Sequence, residues 1–205
     1  MTPWQRIYSL YKSVEYIVVN NISGDIVECG VWRGGSALVV AETLDLLKDY
    51  SRNIYLFDTY QGMTEPTLGI DVSSRGDEAY SIWKERANED YNTWCYASLE
   101  DVKQNMMLSN YPSDKLHFII GDVLETIIET KIDNLSLLRL DTDWYESTKA
   151  ELELLYPKLV KNGVLIIDDY GDWQGSKKAV DEYFTVQKVY PLLHRIDNGA
   201  RIHVK

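Results

Sequence analysis

Five short apolar runs divide the chain. Four close on an acidic residue: Ile26-Val27-Glu28, Tyr55-Leu56-Phe57-Asp58, Leu137-Leu138-Arg139-Leu140-Asp141 and Val164-Leu165-Ile166-Ile167-Asp168-Asp169. The fifth, Phe118-Ile119-Ile120, closes on Gly121 and then Asp122. Runs of this length, alternating with longer stretches whose apolar residues recur every three or four positions, predict buried parallel strands separated by helices. Helical spacing covers Trp4 to Val19, Ala37 to Tyr50, Leu99 to Leu108, Leu124 to Thr130, Ser147 to Leu159 and Ser176 to Thr185, with a more polar helical stretch around Ala79 to Asn88. The alternating tail Leu192 to Val204 predicts an antiparallel edge pair. The expected fold is α/β: one doubly wound, mostly parallel sheet with helices on both faces. Residues 1–205 read as a single domain opening with a helix in 1–21. The strands at 54–58 and 116–120 are about 60 residues apart. Intervals of that length in compact domains are usually covers or binding segments, so 63–94 is assigned as a mobile lid.

Composition narrows the choice of partner. With 205 residues and 45% hydrophobic content the chain supports one well-buried core. A formal charge of −11 without any run of Lys or Arg argues against nucleic acid and anionic membranes, and favours cationic ligands. Met1 to Leu10 lacks the layout of a secretory signal, and no apolar stretch approaches the ~20 residues of a membrane span, so a soluble cytoplasmic protein is expected. Cys29 and Cys95 lack metal-ligand spacing and read as reduced packing thiols. His117, His194 and His203 stand away from any candidate nucleophile and read as structural.

Ligands of open α/β sheets bind outside the carboxyl ends of the strands, which here would gather at least six carboxylates. Such a rim requires cations, or protons on some of its acids. The turn Glu28-Cys29-Gly30-Val31-Trp32-Arg33-Gly34-Gly35 is not the dinucleotide fingerprint, and Glu28 would repel a phosphate. It suits an ammonium group, while the helix start at Gly34, Gly35 and Ser36 suits a carboxylate: together, an amino-acid head group. Asp58, 23 positions beyond Gly35, stands where related folds keep an acid for ribose hydroxyls. Amino acid plus ribose outlines S-adenosylmethionine, whose sulfonium gains from a negative rim. A glycine turn with only a backbone role, and Asp58 as a cap or turn residue, stay open as alternatives. Asp141-Thr142-Asp143 and Asp168-Asp169 end neighbouring strands, about 5 Å apart. Hard oxygen ligands without Cys or His select Mg²⁺, Ca²⁺ or Mn²⁺, helix capping being the plainer alternative.

The runs GDIVECGVWRGGS, YLFDTYQGM, WCYASLEDV, LLRLDTDWYESTKAELELLYPKL and GVLIIDDYGDWQGSKKAVDEYF closely resemble the macrocin O-methyltransferase (TylF-type) family, metal-dependent enzymes that methylate sugar hydroxyls of antibiotics. The likeness runs from Gln5 to the C-terminus and implies a class I methyltransferase-like Rossmann fold and a tendency to form homo-oligomers. By position it implies that Glu28, Gly30, Val31, Trp32 and Ser36 surround the methionine part of S-adenosylmethionine, that Asp58 meets the ribose with Thr59, Tyr60 and Gly62 close by, and that Asp122 and Val123 lie near the adenine. It implies Asp141, Asp168 and Asp169 as Mg²⁺ ligands, with Asp141 also beside the cofactor, and Asp143 as general base. Two departures stand out. Better-known members carry a longer N-terminal extension, so acceptor recognition is expected to differ, and many read Asp-Gly-Asp where this chain has Asp141-Thr142-Asp143.

The acceptor implied is a sugar or other polyhydroxylated small molecule. Tyr60, Trp144, Tyr145, Tyr170 and Trp173 flank the rim and either stack on sugar faces or, the commoner use of large aromatics, pack the core. Rival readings are a Mg²⁺-dependent phosphatase, a nucleotide-sugar glycosyltransferase and a non-catalytic S-adenosylmethionine-binding protein. The late, adjacent acid pairs oppose the first, and the lack of basic partners for a diphosphate opposes the second.

Overall fold

The computed structural model describes residues 2–205. Its strands are β1 (Asp25–Cys29), β2 (Ile54–Asp58), β3 (Leu116–Ile120), β4 (Leu135–Leu140), β5 (Leu159–Ile167), β6 (His194–Arg195) and β7 (Arg201–Val204). Its helices are α1 (Trp4–Val19), α2 (Gly35–Leu46), α3 (Ala79–Arg86), α4 (Leu99–Met106), α5 (Val123–Glu129), α6 (Tyr145–Leu154) and α7 (Gln174–Val186). The strands form one sheet in the order β3-β2-β1-β4-β5-β7-β6. The first five are parallel, and β7 and β6 close the edge antiparallel, as the tail pattern predicts. None of the described helices is long and apolar enough to cross a membrane.

Alternation along the central strands divides the core into two layers. Ile26, Leu137, Val164 and Ile166 pack with Leu10, Val14 and Ile17 of α1, Val40 and Leu44 of α2, and Val102 and Met106 of α4. Their neighbours Val27, Leu138, Leu165 and Ile167 turn to the other face, against Ile127 of α5, Leu152 of α6, and Val180 and Phe184 of α7. Each such side chain contributes roughly 1.5–3 kcal/mol by leaving water, which makes a one-residue register slip prohibitive.

Two boundaries differ from the sequence pattern. The helix expected to reach Leu159 stops at Leu154, because Pro157 cannot continue it. A 3-10 turn at Tyr156–Lys158 follows, and Leu159 opens β5, nine residues long. The helix expected to reach Tyr50 stops at Leu46, where the chain turns through Lys48 at φ 57°.

The segment 63–94 folds against the carboxyl ends of β4 and β5. Asp71, 0% exposed, accepts hydrogen bonds from the amides of Thr67 (2.7 Å) and Tyr145 (2.8 Å). The amide of Gln174 donates to the Val72 carbonyl and that of Ser74 to the Asp172 carbonyl, both at 2.8 Å. Trp94, Trp144 and Trp173 pack together with centroids 5.0–5.9 Å apart, and Trp144 Nε1 donates to the Thr64 carbonyl.

Candidate active site

The pairing of β1 with β4 places Glu28 beside Arg139, and both are buried. Arg139, 3% exposed, is the hub of the rim. Its Nη1 reaches Glu28 Oε1 at 2.6 Å and Asp141 Oδ2 at 2.7 Å, and its Nη2 donates to Asp168 Oδ1 at 2.7 Å. A second guanidinium arrives from α1: Arg6 pairs with the other oxygen of Asp168, with Asp172 at 2.9 Å and with Asp197 at 2.7 Å. The cations that the acidic rim demands are therefore partly residents of the fold. Arg139 has a sequence signal, a lone charge inside an otherwise apolar strand, which must be paired to be buried. Arg6 has none, since nothing in the spacing of α1 sets it apart from a solvated arginine.

The carboxyl groups differ according to how these two cations reach them. Burial raises Asp168, but the charges of Arg139 and Arg6 outweigh it and hold the group below the usual carboxylate range. Glu28 is pushed up to about 7 by burial, against the pull of Arg139. Asp143 rises to about 8 through burial and the neighbouring charge of Asp141. Asp169 rises too, through burial and the charge of Asp143. Asp141, Asp168 and Asp169 each offer an oxygen, and these oxygens lie within 4.8 Å of one another. Three hard oxygen donors at that separation, with Asp141 and Asp169 raised by burial and by the neighbouring carboxylates, fit a divalent cation.

Two cavities adjoin the cluster. One of about 210 Å³ touches Asp141, Asp143, Asp168 and Asp169 together with Trp32 and Arg6. A narrower one of about 60 Å³ runs past Thr59, Asp122 and Val123. Gly30, Asp58, Gly62, Met63 and Asp141 line both, so the two cavities adjoin. Gly30 has φ 81°, and a Cβ there would lie 2.0 Å from the Asp141 carbonyl oxygen, so the glycine lets the two strand ends meet. Asp58 accepts from the amides of Val31 (2.7 Å), Trp32 (3.0 Å) and Tyr60 (2.7 Å), which fixes the glycine turn while leaving the residue at the cavity wall. Asp122 caps α5 through the Leu124 amide at 2.9 Å.

Other expected site residues lie farther back. Glu28, Val31, Ser36 and Tyr60 are buried and line neither cavity. Glu28 Oε1 faces Arg139, and its Oε2 lacks a hydrogen-bond partner. Of the five flanking aromatics none lines these cavities; the aromatics that do are Trp32 in the larger and Phe57 in the smaller. Cys29 is buried as expected, but Cys95 is exposed on the larger cavity's wall, at φ 52°, rather than packed. The left-handed residue of the acidic turn is Asp143, φ 66°, and not Thr142, so the backbone does not demand glycine at 142.

The model of the macrocin O-methyltransferase (TylF) family matches residues 1–205. The chain belongs to this family. Among curated members, demethyldecarbamoylnovobiocin O-methyltransferase of Streptomyces niveus is 34% identical over 179 residues, which make up 87% of this chain and 65% of that one. The 8-demethyl-8-(2,3-dimethoxy-alpha-L-rhamnosyl)-tetracenomycin-C 4'-O-methyltransferase of Streptomyces olivaceus is 32% identical over 89% of this chain and 66% of its own. The chain thus spans about two thirds of the length of these TylF-type relatives. The solved structure of the O-methyltransferase NovP superposes with a TM-score of 0.83 at 31% identity, covering 98% of this chain and 79% of that one. The shared fold therefore extends over nearly the whole of this chain.

Proposed function

We propose that the protein transfers the methyl group of S-adenosylmethionine to a hydroxyl of a sugar or other polyhydroxylated small molecule, with Mg²⁺ held by Asp141, Asp168 and Asp169. The observation that carries this reading is a pair of adjoining cavities that share Gly30, Asp58 and Asp141 in their lining, the larger bordered by the whole carboxylate cluster. The narrow cavity, between Asp58 and Asp122, suits the nucleoside part of the cofactor, and the wider one the acceptor. A sulfonium between them would face carboxylates that Arg139 and Arg6 only partly offset.

The chain's own residues divide the work. Asp58 and Gly30 shape the turn that the cofactor meets, Trp32 forms one wall, and Arg139 ties Glu28, Asp141 and Asp168 together. In the reaction the acceptor oxygen forms a bond to the methyl carbon as the carbon–sulfur bond breaks, and the electron pair leaves on sulfur as S-adenosylhomocysteine. The hydroxyl proton passes to a carboxylate oxygen of Asp143. Its proton affinity, near 8, makes it a stronger acceptor than an ordinary aspartate once ionised. Mg²⁺, when bound, lowers the pKa of a hydroxyl and fixes its position.

Purified protein incubated with labelled S-adenosylmethionine, Mg²⁺ and a panel of glycans and glycosides should yield labelled methyl ether detectable by mass spectrometry. Asp168→Ala should lose turnover by about 100-fold or more while its cofactor dissociation constant stays within a few-fold. Turnover that survives chelator, or survives Asp168→Ala, would exclude the metal-assisted reading.

A further inference from the structure

Alternation at the end of β4 sends Arg139 and Asp141 toward the α1 face, and Leu140 and Thr142 toward the face covered by α5, α6 and α7. Thr142 therefore points away from the carboxylate cluster although it sits between two of its members. There its side chain meets Glu151 of α6, while the residue also borders the narrow cavity. The hydroxyl of Thr142 donates to Glu151 Oε1 at 2.9 Å. Glu151 is 0% exposed, lies beside the buried Cys29 thiol, and its Oε2 has no hydrogen-bond partner. The surrounding positions are those of an apolar core: Cys29, Leu140, Leu152 and Leu155. An aliphatic side chain would fill such a place at lower cost than an acid, so packing does not account for Glu151.

We propose that Glu151 is a positioning residue, which through Thr142 holds the Asp141–Asp143 turn in the geometry that its two carboxylates need. The turn requires such a brace. Asp143 adopts φ 66°, a conformation that a non-glycine residue keeps only where its surroundings determine it. From the front the turn is held by the Asp143 amide, which donates to Asp169 Oδ2 at a long 3.2 Å, and by Arg139 on Asp141. From behind, the Asp141 amide donates to the Cys29 carbonyl at 2.9 Å, the Trp144 amide bridges back to the Thr142 carbonyl at 2.8 Å, and the Thr142 side chain is fixed by Glu151. Burial raises the Glu151 carboxyl to about 8, with the Thr142 hydrogen bond partly opposing it, so at neutral pH the group is mostly the uncharged acid. An uncharged acceptor is all that the Thr142 hydroxyl requires, and glutamine can supply it.

This inference rests on the reading of Asp141 as a cation ligand, and the test separates the two. Mg²⁺ alone is titrated by calorimetry into the unaltered protein and into Glu151→Leu, Glu151→Gln, Thr142→Val and the double variant Thr142→Val/Glu151→Leu. Partners that orient metal ligands from behind typically change affinity by 10–100-fold, and a loss of at least about tenfold is expected for Glu151→Leu and for Thr142→Val. The double variant should be no weaker than either single one, because both remove the same contact. Glu151→Gln should stay within about threefold of the parent. In turnover assays kcat should fall in the same order, and for the Glu151 variants, which touch neither cavity, KM for S-adenosylmethionine should stay unchanged, a split that general loss of structure would not give. Should Glu151→Leu fail to fold, Thr142→Val, which removes one hydroxyl and keeps the side-chain volume, carries the test through its Mg²⁺ affinity. Parent-like Mg²⁺ affinity in the folded variants, additive losses in the double variant, or a glutamine variant as weak as the leucine one would each overturn the positioning role alone. A parent that takes up no Mg²⁺ would overturn the cation reading and this role with it.

Discussion

At the scale of single residues the site is a problem of buried charge, and Arg139 is its main solution. Its guanidinium serves Glu28, Asp141 and Asp168 at once, so Arg139→Met should leave three carboxylates without their common partner. Breaking a buried pair in this way costs about 3–5 kcal/mol, and urea unfolding should register that loss, larger at pH 8 than at pH 5, where the orphaned acids take up protons. The raised acids have a signature of their own. The Glu151 carboxyl loses its proton near its ordinary value of 4.5 in the unfolded chain but near 8 in the fold, and Glu28 behaves similarly with a folded value of about 7. Between those limits the folded protein keeps protons that the unfolded chain has released, so the contribution of these two groups is fully present below about pH 4.5 and is lost as pH rises toward 8. Thermal unfolding without added metal should show a falling midpoint from pH 5 to pH 8, and Glu151→Gln should flatten that slope.

Elements were legible in the chain to the extent that one apolar face dictated them. The five parallel strands follow from runs such as Leu137–Leu140, and the tail hairpin follows from strict alternation, because burial on both faces or on one leaves a plain imprint. Boundaries set by a single local residue were less legible: Pro157 ends α6 early, and Lys48 ends α2. Within the site, the acids were visible as strand ends and Arg139 as a lone charge in an apolar strand, whereas Arg6 was not, since it meets Asp168 across 162 positions of sequence. The segment 63–94 is a similar case. Its length marks it as unusual, but its attachment depends on Asp71, an acid with no pattern around it, bound to the first amide of α6. Asp71→Ala should release 64–79 from the rim, and hydrogen exchange should quicken there by about tenfold or more while the strands keep their protection.

For the molecule as a whole, the carboxyl edge of the sheet is where most of the long-range ties converge. β4 brings Arg139, β5 brings Asp168, α1 brings Arg6, and the turn between β6 and β7 brings Asp197. The cation site lies at the ends of β4 and β5, the centre on which these ties converge, so it is expected to open only with the sheet. Mg²⁺ at about 100 times its dissociation constant should therefore stabilise the fold by about 2.7 kcal/mol, and uptake and secondary structure should be lost at the same urea concentration. Separate midpoints would show that the site opens before the sheet does.

The Arg6–Asp197 pair spans 191 positions, so it stitches the leading helix to the closing hairpin like a clasp on a belt. A proteolytic nick anywhere in the middle would yield two pieces, each owning only part of the clasp. Mixing such pieces should restore cation uptake only to the extent that they find one another again, which makes fragment complementation a direct gauge of how tightly the belt is fastened.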